Sequence, residues 1–474
     1  MVGYMRYRPS KRVIWLAIPL IPVLLMCGGV WLAGTFDEPD ISTWGSKPPA
    51  AGARSKPLGW YDDSLFSLAH SKLNPWKSEM GHDFGSHFYN LKQSENPQDQ
   101  EKYRKLMKLG KAWYGRILVR YPELSVTYKD LPAERNGLLQ WARFEKRLRD
   151  TIKPGASGLI DLPDKLKAHF GVTKEFPWNS HSVKDWLDDN RALLDEARAI
   201  ALMPERSSGG FSEDETVLET GMAARDFSKA FLMEARLFAE QGDIGRALES
   251  IRAANGLADH LRNGEAPTFM QGLVGANVQQ TIDRYVLSNI LPALPSGTDV
   301  TAWENAANPT LRQPADFARL VRGEWNAYMP GVFLPALADT KDPGTPADAE
   351  ALAEAYTQAS RSFVNRNESL SLSDLPSNPV VRPGYKDLSL RSQRIAKEHG
   401  MTTDSHNLRD TWERYQVQTG MTQAAFAILK GQPVPNDPIY GAPYQWDPVT
   451  RKLSLPKIQE FKKSAIKPLI LPTL

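Results

Sequence analysis

Residues 224–261 (ARDFSKAFLMEARLFAEQGDIGRALESIRAANGLADHL) contain the pattern that decides the fold. On both sides of Gly242-Asp243, apolar residues recur three and four positions apart, which is the spacing of one buried helix face. Gly followed by Asp is a turn signal between two such segments. The stretch therefore predicts two helices that fold back on each other as a hairpin. The expected packing positions are Ala235, Phe238, Ala247, Ile251 and Ala254.

Three amphipathic segments precede this hairpin. Residues 101–124 and 131–148 each place apolar side chains on one helical face, and Pro132 marks the start of the second segment. Residues 182–204 predict a third helix, with Ser182 as its N-cap. The expected buried faces are Tyr103, Leu106, Leu109, Trp113 and Ile117; Leu138, Trp141, Phe144 and Leu148; and Trp186, Leu193, Leu194, Ala197 and Ile200.

Helical spacing continues after the hairpin, although prolines and glycines accumulate between residues 329 and 385. The expected helices lie at 268–291, 316–328, 346–364, 388–398 and 408–429. No segment repeats at a fixed period, so the sequence predicts an all-α fold built as an irregular stack of antiparallel helices rather than a regular repeat array.

The C-terminal segment changes to short β-favouring runs. Residues 444–446 and 452–455 flank Asp447-Pro448, a turn signal, and predict a small β-hairpin. The residues that follow are mildly basic, and they predict a solvated tail, with a surface contact as the alternative. These basic residues are Lys457, Lys462, Lys463 and Lys467.

An uncharged apolar run, VIWLAIPLIPVLLMCGGVWLAG, occupies residues 13–34. About 20 apolar residues suffice to cross a bilayer. Basic residues precede the run and acidic residues follow it, and positive flanks stay in the cytoplasm. The run therefore predicts a single transmembrane anchor with the N-terminus inside and most of the chain outside. A cleaved signal peptide and lipidation at Cys27 are the alternatives, disfavoured by the long apolar core and by Met26 before Cys27.

These patterns divide the chain into six parts. They are a basic cytoplasmic stub (1–12), the anchor (13–34), a Pro/Gly/Ser/Ala-rich linker (35–60), a helical domain (61–330), Pro-rich loops with further helices (331–432), and the C-terminal β-hairpin and tail (433–474). The composition of the linker is typical of an extended segment that would hold the domain away from the membrane.

Charge and cysteine content exclude several functional classes. The formal net charge is +3, and four basic residues before residue 13 account for more than this. The exterior part therefore lacks the clustered positive charge that nucleic-acid binding requires. The single cysteine, Cys27, lies in the apolar run, so the exterior part has no disulfide, no thiol nucleophile and no cysteine-based metal site.

The sequence contains none of three common catalytic or ligand-binding motifs: a phosphate-binding glycine loop, a GxSxG nucleophile elbow and an HExxH zinc-binding motif. We therefore assign no catalytic residue, no cofactor and no metal ligand. The best metal candidates, His82, Asp83 and His87, are not spaced for one helical face. Acids beside aromatics, which could serve a glycosidase, occur at 60–63 and 185–189, but acids at helix starts more often favour the helix dipole. Trp113, Trp141, Trp186 and Trp325 lie on helix stripes and are expected in the core.

Four segments carry a resemblance to a group of uncharacterised bacterial membrane-anchored helical proteins. They are PAERNGLL (132–139), DWLDDNRALLDEARAIALMP (185–204), GDIGRALESIRAANGLADHL (242–261) and AAFAILKGQPVPNDPIYGAPYQWDP (424–448). The hairpin at 224–261, which includes the third segment, also resembles a tetratricopeptide unit, and the fourth segment resembles the C-terminal Asp-Pro and hairpin segment of pilin-like proteins. The resemblance implies one membrane anchor and a helical exterior domain, but no activity and no functional residue.

Together these observations predict a protein-interaction or scaffold module, not an enzyme, anchored in the inner (cytoplasmic) membrane. Stacked helices form extended surfaces for partners, so the expected partners are other envelope proteins in the periplasmic space, and no nucleic acid. One alternative is a hydrolase of cell-envelope polymer, which would bring Asp62, Asp63 and His82 into one cleft. The other is a component of a secretion or pilus-like assembly, suggested by the C-terminal hairpin.

Overall fold

The computed structural model describes a mostly helical protein with one small antiparallel sheet at its C-terminal end. The described residues are 91–92, 94–151, 162–163, 166, 170, 178–210, 221, 223–330, 345–368, 406–458 and 466–473. The helices are α1 (Pro97–Arg120), α2 (Gly137–Thr151), α3 (Ser180–Asp189), α4 (Arg191–Ala201), α5 (Ala224–Glu240), α6 (Ile244–Arg262), α7 (Phe269–Tyr285), α8 (Thr301–Ala307), α9 (Pro314–Tyr328), α10 (Thr345–Glu368) and α11 (His406–Leu429). The strands are β1 (Gln445–Asp447), β2 (Lys452–Ser454) and β3 (Leu469–Ile470).

The described residues belong to two compact units. Residues 94–123 and 345–361 lie in the first, and residues 124–327, 408–458 and 466–473 lie in the second. In the first unit, the hydroxyl of Tyr121 donates a hydrogen bond to the carboxylate of Glu354 on α10. Burial, together with this bond, raises the pKa of Tyr121 to about 12. The guanidinium of Arg361 lies 5.6 Å from the centre of the Tyr121 ring and pairs with Glu123.

The hairpin at 224–261 is confirmed as α5 and α6, which form the centre of the second unit. Gly242 adopts a φ of 77°, in the region that favours glycine, so the chain turns sharply between the two helices. The carboxylate of Asp243 accepts a 3.1 Å hydrogen bond from the amide of Arg246 and caps α6. The core positions Ala235, Ala247, Ile251 and Ala254 are fully buried, whereas Phe238 is only half-buried.

The other expected helices within the described ranges are also confirmed, as α1, α2, α7, α9, α10 and α11. Leu106, Trp113 and Ile117 of α1 are completely buried, as are Leu138 and Trp141 of α2. Helix α7 begins at a capping box in which Thr268 and Gln271 bond each other's backbone amides. It ends in a π turn, Val286–Ile290, followed by a 3-10 turn, Leu291–Ala293.

The segment 182–204 differs from the prediction, because it forms two helices instead of one. Asn190 leaves helical geometry between α3 and α4, and its side chain donates to the Trp186 carbonyl at 2.8 Å. Asparagine side chains compete with the helix for backbone groups in this way. The predicted N-cap at Ser182 is wrong: Asn179 is the cap, and its side-chain oxygen accepts from the Ser182 amide at 3.0 Å.

The predicted C-terminal hairpin is confirmed and gains a third strand. Strand β1 pairs with β2, with Trp446 opposite Leu453, and β2 pairs with β3, with Leu453 opposite Leu469. Leu453 and Leu471 are buried in the same hydrophobic core as the central helices. The prediction of a solvated tail is therefore wrong for residues 469–471, because their backbone groups complete the sheet and Leu471 has apolar surface to bury.

Several predictions lie outside the described residues. They are the stub 1–12, the anchor 13–34, the linker 35–60 and the helix at 388–398. Within the part of the chain that the structure describes, no helix combines the length and the apolar character needed to cross a membrane.

The crossing of α6 and α4 gives a test of the packing. A Cβ atom on Gly256 would lie 2.0 Å from the carbonyl oxygen of Ala201, which is backbone and cannot turn aside. We expect Gly256→Ala to lower the free energy of unfolding by about 2 kcal/mol, measured by urea denaturation, because overpacking forces backbone shifts. In the same helix, a Cβ on Gly245 would meet no atom closer than 3.8 Å. Gly245→Ala should therefore be neutral or raise stability by up to about 1 kcal/mol. Equal effects of the two substitutions would contradict this packing.

Candidate functional site

A cleft of about 510 Å³ lies where α3, α4, α5 and α6 meet, all within the second unit. This volume lies within the range of about 300–1,000 Å³ that is usual for small-molecule pockets. Most of the lining side chains are charged, with four basic and four acidic groups. They are Lys184, Asp188, Arg191, Asp195, Arg198, Glu234, Leu237, Phe238, Gln241, Arg246, Glu249 and Ser250.

One wall of the cleft is a stripe of alternating charges on α3 and α4. Its members are spaced four, three, four and three residues apart, the spacing that aligns side chains along one helical face. Lys184 pairs with Asp188 at 2.5 Å, and Asp188 pairs with Arg191 at 3.0 Å. The hydrogen bonds from Lys184 and Arg191 lower the pKa of Asp188. On α4, Arg198 pairs with Asp195 at 2.7 Å.

The floor of the cleft is organised around Glu234 of α5, whose side chain is only 1% exposed. Its two carboxylate oxygens accept hydrogen bonds from Arg191 at 2.7 Å and from Arg198 at 2.5 Å. The hydroxyl of Ser250 on α6 donates to the same carboxylate at 2.8 Å. Because a buried charge is costly unless it is paired and hydrogen-bonded, these contacts hold α4, α5 and α6 in register at the cleft.

The opposite wall combines apolar and charged groups. The guanidinium of Arg246 lies 4.3 Å from the centre of the Phe238 ring, a cation–π distance. Glu249 is exposed and makes no ion pair among the described residues. The cleft thus offers both signs of charge beside an aromatic ring.

The carboxylates singled out in the sequence at 185–189 do not form this site by themselves. Asp185 is exposed and lies 3.5 Å from His181, and Asp189 is also exposed, whereas the cleft uses Asp188 between them. His82, Asp83 and His87, and the acids Asp62 and Asp63, lie outside the described residues. Across the described ranges, no group of three or more His, Cys, Asp and Glu residues is arranged to hold a metal ion.

The tryptophans behave as the sequence predicts. Trp113, Trp141 and Trp325 are fully buried, and Trp186 is half-buried against the core. Glu234 was not predicted as a site residue, although a signal existed: it is a single acid inside the apolar stretch FLMEARLF. The alternating charges from Lys184 to Arg198 were not predicted either, although their spacing is continuous across the two helices.

Two buried titratable groups lie away from the cleft. His260 is fully buried, its Nε2–H donates to the Ile200 carbonyl at 2.8 Å, and its ring fills the space beside Gly137. Burial lowers the pKa of His260 to about 4, so the ring is neutral and structural. Asp283 accepts a 2.7 Å hydrogen bond from the Gln279 amide, and burial raises the pKa of Asp283 to about 7.

Comparisons with protein-family models, with curated proteins and with solved structures gave no match to this chain. The resemblance to bacterial membrane-anchored helical proteins therefore stays a prediction.

The paired carboxylate at the floor of the cleft gives a second test. We expect Glu234→Gln to lower the free energy of unfolding by about 2 kcal/mol, because it removes the buried carboxylate shared by Arg191 and Arg198 and leaves them only their exposed partners Asp188 and Asp195. The matched control is Glu249→Gln, an exposed residue of the same cleft, which should change stability by less than about 0.5 kcal/mol. Chemical denaturation of both variants checks this. A Glu234→Gln protein as stable as the control would contradict the assigned role.

The buried carboxyl of Asp283 gives a third, pH-dependent test. Between pH 3.8 and about 7 the folded protein keeps a proton on Asp283 that the unfolded chain has lost. Raising the pH through this window therefore removes stability from the natural protein but not from Asp283→Asn. We expect the stability of the variant, relative to the natural protein, to rise by about 4 kcal/mol across the window. Denaturation curves at several pH values measure this difference, and a constant difference would show that Asp283 is not held protonated.

Proposed function

We propose that this chain is a membrane-anchored extracytoplasmic module that binds other proteins, and that the cleft between α3, α4, α5 and α6 is its binding site. The observation that carries the proposal is the cleft itself. It is a concave cleft with a volume of about 510 Å³. Consecutive helices form it, and charged side chains of both signs line it. Concave surfaces of stacked helices are well suited to hold a polypeptide segment.

The chemistry of the lining favours a protein partner over a small charged ligand. A ligand that carries charge of only one sign would meet equal numbers of acidic and basic side chains. A polypeptide with both acidic and basic residues can pair with side chains of either sign. Leu237 and Phe238 add apolar surface at the edge of the charged floor. We propose a partner segment that carries basic and acidic residues beside one apolar anchor, with a basic residue directed to Glu249.

The membrane part of the proposal is supported by the sequence alone. Residues 13–34 are apolar and uncharged, basic residues precede them and acidic residues follow. This pattern supports one span in the inner membrane with the N-terminus in the cytoplasm. The linker at 35–60 would then hold the helical part, including the cleft, in the periplasmic space.

Neither alternative function gains support from a particular group of described residues. A hydrolase of cell-envelope polymer needs two catalytic carboxylates in one site, and Asp185 and Asp189 are both exposed on α3. A pilus-like assembly role was suggested by the C-terminal hairpin. Leu453 and Leu471 of the C-terminal sheet belong to the hydrophobic core of the helices, so the sheet contributes to the fold itself.

Site-specific photo-crosslinking in native membranes tests the proposal. A photoreactive residue replaces Glu249 in the cleft or, as the control, Val449 in the β-hairpin turn, which is 89% exposed. We expect the cleft position to give one adduct of defined mass, which weakens at high salt because screening reduces charge pairing. The control position should not give this adduct.

A charge reversal identifies the binding surface. Arg246→Glu changes an exposed cleft residue and should reduce the adduct from position 249 without changing the amount of folded protein. Adducts of equal yield from both positions, or crosslinks only between copies of this chain, would overturn the proposal.

A further inference from the structure

A second polar cavity in the same unit contains an arginine without an acidic partner. The cavity lies among α6, α7, α9 and α11 and has a volume of about 30 Å³, enough for one or two water-sized groups. The charged side chains that line it are Arg262, Arg312 and Asp316, and the polar ones include Thr310, Tyr415 and Thr419. None of these residues lines the charged cleft described above.

The acidic side chains near this cavity form ion pairs with arginines other than Arg312. Asp259 pairs with Arg262 at 2.7 Å, and Asp316 pairs with Arg319 at 2.6 Å. The second oxygen of Asp316 accepts a 2.9 Å hydrogen bond from the backbone amide of Gln313. Three arginines therefore share two carboxylates, and Arg312 forms no ion pair with any described residue.

The position of Arg312 is set by neutral partners. Its guanidinium donates to the side-chain oxygen of Asn263 at 2.5 Å. The buried amide of Gln416 accepts from the Arg312 backbone amide at 2.8 Å and donates to its carbonyl. Burial, with the charge of Arg262 nearby, lowers the pKa of Arg312 to about 10, so it is still charged at neutral pH. A largely buried charge with only neutral partners is unfavourable until an anion completes the site.

We propose that this cavity binds a carboxylate group between the guanidiniums of Arg312 and Arg262. Arginine matches carboxylates because its planar fork can donate two parallel hydrogen bonds. Arg262 is 7% exposed and uses Nε and Nη2 for Asp259, so its Nη1 is available to the cavity. The small volume fits the two oxygens of a carboxylate better than the four of a phosphate. The carboxylate could belong to a free small acid or to the end of a polypeptide.

Calorimetric titration of the full-length protein at constant ionic strength tests this site. Acetate represents a free acid, triglycine represents a chain end, and acetamide is the neutral analogue of acetate. We expect saturable binding of acetate or triglycine and none of acetamide. Tighter binding of triglycine would identify a polypeptide end as the source, and tighter binding of acetate a free acid. We expect Arg312→Met to weaken the binding about tenfold or more, since it removes a charged hydrogen-bond donor.

The matched control is Arg225→Met, an exposed arginine of α5, which should bind as the natural protein does. Thermal unfolding without ligand shows whether Arg312→Met folds. If that variant does not fold, the difference between acetate and acetamide binding to the natural protein still shows whether the site requires a carboxylate. The proposal would be overturned if neither carboxylate binds saturably up to about 100 mM, or if inorganic phosphate, titrated in the same way, binds more tightly than both carboxylates. It would also be overturned if Arg312→Met binds the carboxylates as tightly as the natural protein does.

Discussion

The close packing of helices against α6 is the constraint on which the rest of the second unit depends. Helix α6 contacts α2, α4, α5, α7 and α8, and its second half, from Ala253 to Arg262, contains no exposed residue. Small residues make this possible, because alanine and glycine let neighbouring backbones approach closely. Ala247, Ala253, Ala254 and Ala258 are fully buried, and Gly256 lies against the backbone of α4. A helix surrounded on most sides in this way fixes the places of the helices around it.

The cleft follows from this arrangement. Helices α3 and α4, separated by the break at Asn190, form one wall, and α5 and α6 form the floor and the other wall. The carboxylate of Glu234 connects three of these helices through Arg191, Arg198 and Ser250. The same ion pairs that stabilise the cleft also set the pattern of charges that a partner would meet. Stability and the proposed recognition therefore depend on the same side chains.

The buried charges of the second unit are handled in different ways. Glu234 accepts hydrogen bonds from two arginines and a hydroxyl. Asp283 has a neutral amide partner, and its pKa rises to about 7 because burial disfavours the anion. Arg312 can hardly lose its proton, since even its lowered pKa lies near 10. Of these three groups, only Arg312 has neither a counter-charge nor an accessible neutral form, which is why an external anion is the natural partner for it.

The sequence by itself determined the helical segments, the central hairpin, the buried tryptophans and the β1–β2 hairpin, because each depends on spacing or turn residues within a short stretch. It also located the apolar run at 13–34, which lies outside the described residues. The tertiary structure decided the rest. Strand β3, the pairing of Glu234 with arginines 36 and 43 residues away, and the bonds between Arg312 and Gln416, 104 residues apart, join distant parts of the chain. Local periodicity carries no information about such contacts, since they depend on how the helices pack against α6.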